Sequence, residues 1–365
     1  MTVLVFSPNW LGDAVMALPA VSDIRRHGTT RRLIVAARPS VAGLWNIVAG
    51  VDDVVVIPHA RGAARWRTLS ENAEALRRTG ADAAVLLPNS LQTALMARRA
   101  GIPERCGYRR NLRGWLLTRA VPQARGLVHQ ADYYRHLVSA LGIASGDRVP
   151  RLDVPAVSVE EARQVLAASG WAPGARLLGI APGAAYGGAK RWPPERFAAV
   201  AAELARTHGL LPVLVGSAAD RPAACAIEAE LGKISGDGFR TSVRRAEPAA
   251  RAGLESASRS IAGLASINLA GRTDIPQLAG VLTLCSAFVS SDSGAMHLAA
   301  AVGTPVVALF GPTDERATAP LADRARVVTA AAWCRPCLLR ECPLDHRCMT
   351  GLDAETVARA AGELL

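Results

Sequence analysis

Short apolar runs without polar alternation recur along the chain, separated by longer amphipathic or Ala-rich stretches. In the first half the runs are Val3–Ser7, Leu33–Ala37, Val54–Ile57 and Ala83–Leu87. Between them Asp13–Arg26, Leu69–Arg78 and Leu91–Ala100 carry helical patterns. Uninterrupted apolar runs of about four to six residues predict strands buried on both faces, hence a parallel sheet flanked by helices. The second half repeats the theme. Its strands are expected at Leu177–Ala181, Pro212–Val215, Ala287–Ser290 and Val306–Phe310, its helices at Pro194–Thr207, Ile275–Leu284 and Ala295–Val302.

Pro150, Pro155, Gly170, Pro173 and Gly174 punctuate the middle of the chain. They predict an N-terminal domain over 1–172 and a C-terminal domain over 173–350, followed by a capped helix in 351–365. Residues 232–263 are rich in Gly, Ser, Ala and Arg without an apolar period, and are expected to form a mobile surface insertion. Two βα domains in series predict a cleft, because open α/β sheets bind ligands at the carboxyl ends of their strands.

Charge makes the two halves unequal. The 365 residues carry a net +11, yet residues 1–172 hold 22 arginines against 13 acids and residues 173–365 hold 20 basic against 18 acidic side chains. A basic half invites a polyanion: a nucleic acid, an anionic lipid surface or a phosphorylated glycan. Aromatics make up only 4% of the chain, which leaves few stacking platforms for single strands. The chain opens on a strand-like run with no basic leader before it, and its longest uncharged stretches, 275–291 and 293–313, are broken by Gly, Pro and small polar residues. Seven cysteines are spread over the chain, a pattern unlike a secreted disulfide scaffold. These features predict a cytoplasmic protein without a spanning helix.

Five segments carry candidate chemistry. After the first strand, Ser7-Pro8-Asn9-Trp10-Leu11-Gly12-Asp13 forms a turn and a helix start. Only Gly12 is present where a dinucleotide fingerprint needs three glycines. Asp13 is a candidate general base, or else an acid complementing the helix dipole. After a later strand, Pro182-Gly183-Ala184 leads through Gly187-Gly188 to Lys190-Arg191-Trp192. Small residues that admit an anion to backbone N–H groups, a lysine and a helix start coincide there. Ser291-Asp292-Ser293-Gly294-Ala295-Met296-His297 is a strand end and helix start fit for a diphosphate, or an ordinary Ser/Asp cap. Arg105–Arg125 contains six arginines and no acid, either a solvated face or a surface that recruits a phosphate-bearing partner. Cys334, Cys337, Cys342 and Cys348 could hold zinc or an iron–sulfur cluster, or be reduced thiols.

The ordered set resembles a known family. Asn9-Trp10-Leu11-Gly12-Asp13, Pro182-Gly183-Ala184 with Lys190-Arg191-Trp192-Pro193, Val215-Gly216-Ser217-Ala218-Ala219-Asp220, Asn268-Leu269-Ala270-Gly271 and Ser291–His297 occur in the order found in glycosyltransferase family 9, the ADP-heptose–lipopolysaccharide heptosyltransferases. The resemblance spans nearly the whole chain. It is strongest to members that extend the first heptose of the inner core, through the Trp-Leu-Gly-Asp turn, the 183–192 loop and Pro88-Asn89-Ser90. The 232–263 insertion and the Cys-rich tail depart from the pattern.

The resemblance implies an α/β protein of two facing Rossmann-like domains, the GT-B arrangement. The first would take the acceptor, heptosyl-Kdo2-lipid A at the cytoplasmic face of the inner membrane, and the second ADP-heptose. No cofactor, metal or nucleic acid would be needed. Asp13 and Lys190 would be catalytic. Gly183, Ala184, Lys190, Asp292, Ser293 and Gly294 would hold the donor's phosphates and sugar, Asp220 its ribose, and Thr273 and His297 its adenine. A sibling transferase with another acceptor position, or a nucleotide-sugar epimerase, shares much of this pattern.

Overall fold

The computed structural model describes residues 1–60, 62–245 and 265–365. They form two compact units, Met1–Pro155 with Arg316–Ala322, and Ala156–Glu315 with Asp323–Leu365. Each unit is built on one all-parallel six-stranded sheet.

In the first unit β1 (Thr2–Phe6), β2 (Arg32–Ala37), β3 (Asp53–Val56), β4 (Ala83–Leu86), β5 (Glu104–Tyr108) and β6 (Arg119–Val121) lie in the order 3-2-1-4-5-6. In the second, β7 (Leu177–Ala181), β8 (Leu211–Leu214), β9 (Ile267–Asn268), β10 (Cys285–Ser291), β11 (Val306–Phe310) and β12 (Ala325–Thr329) repeat that order as 12-11-10-7-8-9. This is the Rossmann order, duplicated as expected. The central strands are almost wholly buried: Leu4, Val5 and Phe6, like Leu177, Leu178 and Ile180, have no exposed surface.

Several elements depart from the expected pattern. The helix expected over Asp13–Arg26 is two helices, Leu11–Met16 and Leu18–Arg26. Pro19 lacks the N–H that would continue the first. Residues 232–245, expected in a surface insertion, continue a helix over Arg221–Arg245; the rest of that expectation, to residue 263, falls outside the described residues. The unit boundary lies at Pro155, ahead of position 172, because the helix Ala156–Ala167 packs on Ile275–Leu284 of the second unit. Gly280 permits that contact, since a Cβ there would strike the backbone of Ser158.

The C-terminal helix Ala354–Gly362 is capped by Asp353, whose carboxylate accepts from the Thr356 N–H at 2.9 Å. Its Val357, Ala358 and Ala361 enter the second unit's core with Trp192, Phe197 and Leu204. The helix is part of that unit's core. Among the described residues no helix is long and apolar enough to cross a membrane.

Candidate functional site

In a 3-2-1-4-5-6 sheet the loops after the two central strands diverge and leave a crevice at the strands' carboxyl ends. In the second unit those strands are β7 and β10, with Ala181 opposite Ser290. The loop after β7 carries Lys190 and the turn after β10 carries Asp292, which are 102 residues apart in sequence. Lys190 Nζ donates to Asp292 Oδ2 at 2.5 Å. Thr313 Oγ1, beyond the end of β11, donates to the same oxygen at 2.7 Å. The two charged side chains are only 11% and 7% exposed. Such a pair is costly to desolvate and is held by good geometry, which gives a lysine with a fixed position.

The Lys-Arg-Trp-Pro run explains how that position is set. Trp192 is buried edge-on against Phe197, ring centroids 4.8 Å apart, and its indole N–H donates to the Leu352 carbonyl at 3.2 Å. Pro193 and Pro194 then open the helix Pro194–His208. Lys190 is thus held between a core anchor and a glycine loop. Ser293 caps the helix Gly294–Ala301, accepting from the Met296 N–H at 3.3 Å, and shares a hydrogen bond with Ser290. Gly294 is the first residue of that helix, and His297 is buried one turn in.

The glycine loop is used differently from the expected phosphate cradle. Gly183 and Ala184 are buried, and the Asp220 carboxylate occupies the space a Gly183 side chain would need. Asp220 also closes a capping box with Ser217, accepting from its N–H at 2.8 Å and its hydroxyl at 2.7 Å. The Gly188 N–H is taken by Glu341 Oε1 at 3.0 Å and the Ala189 N–H by the Arg340 carbonyl at 2.9 Å. Two of the loop's amides therefore hold the 338–341 segment. Gly216 and Gly271 bring the loops after β8 and β9 alongside, Gly216 against Asp220 and Gly271 against Ala218. Thr273 lies just beyond the latter, half-buried.

Asp13 lies in the first turn of Leu11–Met16, after β1 at the crevice of the first unit. A helix start favours an anion there. Burial first, and then the Asp13 carboxylate, push the phenol of Tyr134 well above its ordinary value. The loop after β4, on the other side of the crevice, is pinned by Arg113. This arginine is fully buried and donates to the carbonyls of Tyr108 and Pro88 and to Asn89 Oδ1. Burial pushes its guanidinium down to about 10.

The arginine run is thus only partly exposed. Arg113 is structural, Arg105 donates to the carbonyls of Ile102, Pro103 and Leu116, and Arg119 pairs with Glu104. Arg109, Arg110 and Arg125 remain exposed. All seven cysteines are unpaired, and among the described residues no group of three or more His, Cys, Asp or Glu side chains is arranged to hold a metal ion. Thr313, Arg340 and Glu341 were not singled out by the sequence, and Tyr186 only as part of the 183–192 loop. Thr313 carried a usable signal, a polar residue just past a buried parallel strand.

Comparison with known proteins bears on the whole chain. The model of glycosyltransferase family 9 (heptosyltransferase) matches residues 70–235 and 238–347. Lipopolysaccharide heptosyltransferase 2 of Salmonella typhimurium is 31% identical over 333 residues, 90% of this chain and 88% of that protein. Lipopolysaccharide heptosyltransferase 2 of Escherichia coli is 30% identical over the same shares. The solved E. coli ADP-heptose lps heptosyltransferase II superposes with a TM-score of 0.77 at 26% identity, covering all of this chain and 98% of that one.

Proposed function

The chain belongs to glycosyltransferase family 9, and from that membership we propose that it is an inverting heptosyltransferase, moving L-glycero-D-manno-heptose from ADP-heptose to the first heptose of the lipopolysaccharide inner core. The observation that carries this reading is the buried Lys190–Asp292–Thr313 cluster at a strand-end crevice, in a chain similar to heptosyltransferases 2 over nine-tenths of its length.

The acceptor hydroxyl oxygen bonds to the anomeric carbon of the donor as the bond from that carbon to the β-phosphate oxygen breaks. The hydroxyl proton passes to Asp13, and the electron pair leaves with ADP. Attack from the face opposite ADP inverts the anomeric centre. A positioned base of this kind contributes about 10²–10⁴ in rate. Charge building on ADP is met by Lys190 and by the helix start at Ser293 and Gly294. Asp292 fixes Lys190 and lies near the donor sugar or phosphates, Gly183 and Ala184 shape the loop beneath, Asp220 lies near the ribose, and Thr273 and His297 near the adenine. No divalent cation bridges the phosphates in this reading.

The acceptor, heptosyl-Kdo2-lipid A, is a polyanion on a membrane anchor. The first unit holds 22 arginines against 11 acids, whereas the second has 20 of each sign, so the entire net charge of +11 lies in the first. A basic surface of that kind is drawn to an anionic leaflet, which supports peripheral work at the cytoplasmic face.

The test is incubation of the protein with ADP-heptose and Kdo2-lipid A acceptors bearing zero or one heptose, read by mass spectrometry. Addition of one heptose to the one-heptose acceptor is expected. Addition only to the unsubstituted acceptor moves the enzyme to the preceding step, and conversion of ADP-heptose without any acceptor excludes a transferase.

A further inference from the structure

Residues 338–341 have no helix or strand, yet they are fastened to the loop that carries Lys190. The Tyr186 hydroxyl donates to the Leu338 carbonyl at 2.8 Å. The Ala189 and Gly188 N–H groups hold the Arg340 carbonyl and the Glu341 carboxylate. A side chain at Gly187 would strike the Arg340 backbone. These ties place the Arg340 guanidinium over the Tyr186 ring, with Cζ 5.2 Å from its centroid. Lys190 Nζ lies 4.9 Å from the same centroid. One aromatic ring therefore holds two cations.

The two are not equivalent. Lys190 is buried and already neutralised by Asp292. Arg340 is exposed and makes no ion pair among the described residues. A nucleoside diphosphate gains negative charge as it leaves a sugar. Because Asp292 already pairs with Lys190, that lysine offsets only part of the gain, and the Glu341 carboxylate holds the Gly188 amide.

We propose that Arg340 is a second cation for the diphosphate of the donor, carried to the site by the 338–341 segment and seated on Tyr186. The proposal rests on the donor reading given above. The ring face attracts the guanidinium, and the planar fork of that group matches phosphate oxygens. It also gives the segment between Cys337 and Cys342 a task, since that stretch presents the arginine.

Binding of ADP and of adenosine separates charge from scaffolding. Calorimetry with ADP and ligand-observed NMR with adenosine are to be run on the wild-type protein, Arg340→Gln and Arg340→Lys. Arg340→Gln is expected to weaken ADP about tenfold and leave adenosine unchanged. Arg340→Lys keeps the charge but loses the planar fork, and is expected to fall between wild type and Arg340→Gln. Added salt should narrow the gap between wild type and Arg340→Gln. Wild-type ADP affinity in Arg340→Gln overturns the proposal, and so does an equal loss of ADP and adenosine, which marks a structural prop. A wild-type protein that binds no ADP overturns the donor reading and this proposal together.

Discussion

The two units use one topology to opposite electrostatic ends. At the crevice between β7 and β10 the second unit buries its cation, pairs it with Asp292 and adds a hydroxyl from Thr313. At the crevice between β1 and β4 the first unit sets a carboxylate, Asp13, in a helical turn, and spreads over its surface exposed arginines such as Arg109, Arg110 and Arg125, which make no ion pair among the described residues. The second unit is neutral overall and the first carries all of the net charge. A small anion is recognised by a few groups fixed in place. A large polyanion is recognised by many dispersed charges, at a cost in specificity and with strong dependence on salt.

The sharpest way to break this contrast is at the carboxylate. Asp13→Asn is expected to lower heptose transfer by about 10²–10⁴ while leaving ADP affinity at the wild-type level. Near-normal turnover in a steady-state assay would remove Asp13 from the mechanism.

The second unit's ion pair gives the next largest effect. Lys190→Met leaves Asp292 buried and unpaired, and is expected to destabilise the protein by about 3–5 kcal/mol in urea unfolding. Adding Asp292→Leu should recover most of that stability without recovering ADP binding. A double variant that binds ADP normally would show that the pair is structural only. Its pairing was not legible in the sequence. Both motifs were recognisable, but only the register of Ala181 opposite Ser290 brings residues 102 positions apart into contact.

Legibility followed burial. The central strands read clearly because both faces are apolar, as in Val3–Phe6 and Val306–Phe310. The edge strand β3 was still legible as Val54–Ile57, but β5, β6 and β12 were not, because charged residues interrupt them: Glu104 and Arg105 in β5, Arg119 in β6 and Arg326 in β12. The arginine run read as one exposed face for the same reason. Whether an arginine meets solvent or a carbonyl, as Arg113 does, depends on the sheet beneath it. Arg340 was hidden because its site is made by an irregular segment.

The arginines left exposed provide a smaller test. Replacing Arg109, Arg110 and Arg125 together by Gln is expected to raise the acceptor KM several-fold and to reduce its salt dependence, with no change in ADP affinity. An equal effect on ADP would erase the division of labour between the units.

The smallest effect concerns the first unit's stability. His129 caps the helix Gln130–Ala140 by accepting from the Ala131 N–H, and its other ring nitrogen meets the Ala319 carbonyl at 2.9 Å. Burial, above all, holds its pKa below the ordinary 6.5. The unfolded chain then takes up the proton first as pH falls, so this stability is complete above about 6.5 and is lost below it. His129→Asn should flatten the unfolding free energy between pH 6.5 and the lower native value. An unchanged slope would assign the acid sensitivity elsewhere.

The division between the units is tested most directly by a crystal structure of the protein grown with ADP. The expected result is a nucleotide in the second unit, with its phosphate oxygens at Lys190 Nζ and at the start of the helix Gly294–Ala301. A nucleotide seated instead at the Asn9–Asp13 turn of the first unit would reverse the roles assigned to the two halves and contradict the account.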